Sequence, residues 1–83
     1  MPRLELEQFL EQGIVHEESF RAAVAGHDWN QYHGQTLFVR GCGATPIPMW
    51  AYMMVAAHAA RAGVRQLLYG EEQRPILVFQ QEA

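Results

Sequence analysis

The stretch "TLFVRGCGATPIPMWAYMMVAAHAARAGVRQLLYG", Thr36 to Gly70, decides the fold. It opens with a β-branched and aromatic run, Thr36 to Arg40, and closes with a second strand-like run, "QLLYG". Between them Thr45 has the side chain of an N-cap, and Pro46 has the fixed φ of a first helical position. The helix is predicted to run to about Ala62, with Gly63 as its stop and Arg61 near its negative end. Strand, helix, strand implies a right-handed crossover between parallel neighbours. After the turn "EEQR" the run "PILVF" adds a hairpin strand, antiparallel to its predecessor. The expectation is an α/β fold: a small sheet with a strand-helix-strand crossover and a C-terminal hairpin strand. An N-terminal helical segment and one central apolar helix complete a single domain over residues 1–83.

The central helix also predicts assembly. Trp50, Met53, Met54, Ala57 and Ala60 lie on one side, yet Ala51, Tyr52, Val55, Ala56 and Ala59 make the opposite side apolar too. A helix apolar nearly all round must be covered on both sides. One sheet covers one side, and an 83-residue chain has little left for the other. A homodimer through Trp50, Met53, Met54, Ala57 and His58 is expected, the competing cover being the N-terminal helix.

Upstream, "LEL" alternates as a short extended start before a helical turn ending near Gly13, and Ile14 and Val15 extend again. Glu17 to Ala25 reads as a helix, with Glu17 and Glu18 in the first turn and Phe20, Ala23 and Val24 as its stripe. Gly26 can end it. In "HDWNQYHG", Asp28 is placed to start one further turn that brings Trp29 and Tyr32 inward.

Composition removes several functions. The net charge of −3 and six scattered arginines do not favour nucleic acid or anionic membranes as partners. The chain has no lysine, so P-loop and Schiff-base chemistry are excluded. Ser19 is the only serine and Asp28 the only aspartate; a triad would have to use both, and Ser19 reads better as part of a helix start. One cysteine forbids an internal disulfide, and no zinc spacing is present. The charged start "MPRLELEQ" lacks a secretory apolar run, and the uncharged stretch Gly41 to Ala60 is too broken for a span. The expectation is a soluble, cytoplasmic protein without a cofactor.

Cys42 sits between two glycines at a strand end that feeds a helix start. Three readings stand: a small apolar residue in a tight turn, an anion or ligand loop over Cys42, Gly43, Ala44 and Thr45 with Tyr52 nearby, or a reactive thiol aided by Arg40, Thr45 and Tyr52. Pro46 and Pro48 remove two first-turn N–H donors, and His58 is far along the helix; both weigh toward packing. His27 and His33, with Asp28, are the alternative metal ligands, though their spacing matches no known site. Trp29, Trp50, Tyr52, Met53 and Met54 suit an apolar groove as well as a core. Glu71 and Glu72, adjacent in a turn, read as solvated.

"GIVHEESFRAAVAGHDWNQYHGQ", followed by "IPMWAYMMVA" and "LLYGE", resembles the bacterial family catalogued as domain of unknown function 2480. The likeness runs from about Leu4 to Phe79, most specifically in "FRAAVAGHDW", in Pro48, Trp50, Ala51, Tyr52 and Met53, and in the Cys42-Gly43 turn before Pro46 and Pro48. The resemblance implies members about twice this length whose second half varies the first, so a homodimer would stand in for the fused pair. It also implies a second-half cysteine after Gly-Glu, where this chain reads "GEEQRP". It implies no activity. The function expected is a homodimeric binding or assembly module, open to an unidentified small ligand. The alternatives are a thiol-dependent enzyme or sulfur carrier at Cys42 and a metal-binding regulator at His27 and His33.

Overall fold

The computed structural model describes residues 1–41 and 46–82; Cys42, Gly43, Ala44 and Thr45 lie outside the described residues. Strand β1 (Arg3–Glu5) leads into a 3-10 turn, Leu6–Phe9, and helix α1 (Glu17–Gly26). A second 3-10 turn, Trp29–Tyr32, precedes β2 (Thr36–Arg40). Helix α2 (Met49–Arg61), β3 (Gln66–Glu71) and β4 (Arg74–Gln80) follow. The four strands lie in the order β1-β2-β3-β4, with β1, β2 and β3 parallel and β4 antiparallel to β3.

The predicted crossover β2-α2-β3 and the β3-β4 hairpin are both present. The structure adds a crossover the sequence only half disclosed. The extended start is a sheet strand over Arg3–Glu5, with Leu4 beside Val39 and Leu6 already in the 3-10 turn, so β1-α1-β2 repeats the same unit. Both crossovers step the same way across the sheet, which drops both helices on one face. A single core results: Leu4, Leu37, Val39 and Leu67 from the sheet meet Phe20, Val24, Ala51, Val55 and Ala59 from the helices.

Helix α2 starts later than expected. Pro48 is its N-cap residue, in extended backbone, and Met49 its first helical residue. Proline pushes the residue before it out of helical backbone, so Pro48 keeps Ile47 out of the helix. At the other end the expectation holds closely, with Ala62 as C-cap and Gly63 at φ 82°. Helix α1 ends at Gly26, its last helical residue, and His27 is its C-cap.

The other face of the sheet carries Arg3, Glu5, Phe38, Arg40, Leu68 and Leu77, as strand alternation requires. Two ion pairs, Arg3–Glu72 and Arg40–Glu5, lie among them. Phe38 is 1 % exposed, yet it stands outside the main cluster. No helix among the described residues is long and apolar enough to cross a membrane.

Candidate functional site

A cavity of about 420 Å³ opens between α2 and the β3–β4 side of the sheet. Val39, Leu67, Tyr69 and Val78 supply its sheet wall, and Ile47, Met49, Tyr52, Val55 and Ala56 its helix wall. The position follows from the fold. Helix α2 crosses from β2 to β3 and leaves β4 exposed along its length except at Phe79, which packs against the core. A β-bulge in β4 fits the extra residue Val78 between the pairs Leu68–Leu77 and Leu67–Phe79. An extra residue in one strand re-aims a side chain, and Val78 lines the cavity.

The lining is apolar except at Tyr52 and Tyr69. Their rings meet edge to face with centroids 4.9 Å apart, and the Tyr69 hydroxyl donates to the Tyr52 hydroxyl at 3.5 Å. A Cβ at position 41 would run into the Tyr52 hydroxyl, so a larger residue than Gly41 would displace that ring. Tyr52, expected at a ligand site, is therefore in the cavity wall and against the residue that precedes Cys42. The arrangement can hold apolar surface and offer hydroxyls at one end. Of its lining, Met49 and Val78 are exposed; Met53, one turn along α2 from Met49, is 65 % exposed, and Ile76 is exposed on β4.

The five residues expected at a dimer contact divide. Trp50 meets Phe20 of α1 edge to face at 5.6 Å, Met54 packs against the core, and His58 stacks on Trp29 at 5.7 Å. Trp50 and His58 thus have partners in their own chain, supplied by α1 and the turn after it. Met53 and Ala57 face outward, in line with Met49 one turn earlier.

The two histidines named as alternative metal ligands point to different partners. His27 Nε2 shares a hydrogen bond with the Tyr32 hydroxyl at 2.8 Å, and His33 Nδ1 with the Ala62 carbonyl at 3.0 Å. Among the described residues no group of three His, Cys, Asp or Glu side chains can hold a metal ion. Burial lowers the His27 pKa, against a smaller opposing pull from Asp28. Burial raises the Tyr32 pKa, and Asp28 adds to it. Arg40, a suggested helper of Cys42, pairs with Glu5 at 3.6 Å. Glu71 and Glu72 are exposed, as expected.

Sequence reasoning missed Met49, Ile76 and Val78. The signal was available in "PILVF": a strand that is apolar without alternation needs cover on both faces, and a terminal hairpin strand lacks it.

The fold and site define a two-layer α/β domain with helices on one face and an open apolar groove beside its last strand. The chain belongs to the family described as Protein of unknown function (DUF2480), which it matches over residues 1–82. No curated protein and no solved structure matches it.

Proposed function

We propose that the chain is a homodimeric binding module whose working surface is the apolar groove between α2 and β4. One observation carries this reading: Met49 of α2 and Val78 of β4 line the cavity and are exposed, and each has a further exposed apolar residue near it on its own element, Met53 one turn along α2 and Ile76 on β4. Single exposed apolar residues are ordinary, but a patch gathered at a groove marks an interaction surface. A small domain also gains the stabilising burial it lacks by pairing. The interface expected on α2 then narrows to Met53 and Ala57, and Met49, one turn earlier, joins them. Size-exclusion chromatography with light scattering tests it: the wild type elutes as a dimer and Met53→Glu, which leaves the core untouched, as a folded monomer. A dimer indifferent to Met53→Glu, or a wild-type monomer, would refute the reading.

A second reading keeps Cys42 as a reactive thiol, favoured by the Tyr52 hydroxyl beside Gly41. It requires Cys42 to alkylate faster in the native protein than in urea at pH 6. Equal or slower native alkylation removes it.

A further inference from the structure

We propose that the free edge of β4 pairs antiparallel with β4 of a second copy, joining the two sheets into one. This rests on the self-association reading and names its geometry. β4 is the end strand of the sheet, and its outer edge has no neighbour among the described residues. No charge stands between Pro75 and Gln80, so the edge lacks the commonest device that keeps strand edges apart. Pro75 and the bulge at Val78 are its interruptions; they restrict the register of pairing.

The two faces of β4 decide which kind of cover fits. Ile76 lies across from Tyr69, on the cavity side, and is 58 % exposed. Leu77 lies across from Leu68, beside Phe38 on the face away from the helices, and is 53 % exposed. A helix or small molecule docked in the groove would cover Ile76 and Val78 and never touch Leu77. A strand added in the plane of the sheet places side chains on both faces and reaches all three.

Charge identifies the added strand as a second copy. Arg74 starts β4 and Glu82 lies just past its end; both are exposed, and neither belongs to an ion pair among the described residues. An antiparallel two-fold arrangement sets the Arg74 end of each copy against the Glu82 end of the other, so the complementary contact forms twice. A parallel arrangement would set like against like. The edge is also held in place before pairing. The Gln81 amide donates to the Arg65 carbonyl at 2.8 Å, and its side chain donates to the carbonyls of Ala60 and Val64 at 2.9 Å each. A rigid edge loses little freedom on association.

The test is light scattering and sedimentation of full-length Leu77→Lys, Arg74→Glu, Glu82→Arg and the double swap, with circular dichroism to confirm folding. Leu77→Lys is expected to weaken the dimer at least about tenfold, since it buries a charge at the new strand pair. Each single swap is expected to weaken it roughly three- to tenfold, and the double swap to restore it. Should Leu77→Lys fail to fold, the swap series alone decides. A dimer that loses nothing with Leu77→Lys and the swaps, yet dissociates with Met53→Glu, overturns the edge pairing and leaves the groove reading standing. A wild-type monomer overturns both.

Discussion

Gly63 is the residue on which the end of α2 turns. Its φ of 82° is one that side-chain-bearing residues rarely adopt, and a Cβ there would collide with the His33 ring. That ring holds the Ala62 carbonyl, while the Gly63 carbonyl accepts from the Gly34 amide at 2.8 Å. Gly63→Ala should therefore cost about 1–3 kcal/mol in urea unfolding; an unchanged midpoint would show that the turn relaxes freely. The glycine stop was legible in the sequence, because a positive φ after a helix leaves few alternatives. The role of His33 was not, because its partner lies 29 residues away. His27 carries the pH dependence. Its folded pKa lies below the ordinary 6.5, so the unfolded chain binds more protons in the window just under that value. Stability is then full above 6.5 and falls as pH drops through it. Tyr32 works in the opposite sense: with its folded pKa raised above 10.0, stability falls as pH climbs past that value. His27→Phe should flatten the loss between neutral and mildly acidic pH that is expected in thermal melts of the wild type. A wild-type melting temperature that does not fall on acidification would contradict the assignment.

Among elements, α2 shows how far pattern reading reaches. Its all-round apolar character was plain, but period alone does not say which neighbour covers which side. The buried stripe Ala51, Val55 and Ala59 meets the sheet, and Phe20 of α1 takes Trp50. What stayed open is the Met49–Met53–Ala57 line. Phe20 is fully buried, so Phe20→Ala should cost about 3–5 kcal/mol, whereas Met53→Ala should stay within about 0.5 kcal/mol when measured on dilute monomer. Against the roughly 4–12 kcal/mol total expected for a domain of this size, the first change removes a large share of the stability. Equal costs for the two would mean the helix is misplaced. Gln81 joins β4 to the end of α2 through two carbonyls, and Gln81→Ala should lose about 1–3 kcal/mol. The strand at Arg3–Glu5 was hard to read because three residues carry almost no period; only its pairing with β2 makes it a strand.

For the whole molecule, the fold class followed from a few strong signals: strands with β-branched and aromatic content, a long apolar helix and glycine at its end. The site did not, because it is assembled from β2, α2, β3 and β4, which only the topology brings together. The fold covers one face of the sheet with both helices and leaves β4 outside their cover, and self-association is the consequence drawn from that. Light scattering of the purified protein over a concentration series is the decisive measurement. The result expected is twice the 9.5 kDa chain mass at concentrations on the order of 10 μM, falling toward one chain on dilution. A mass of one chain throughout that range would contradict it.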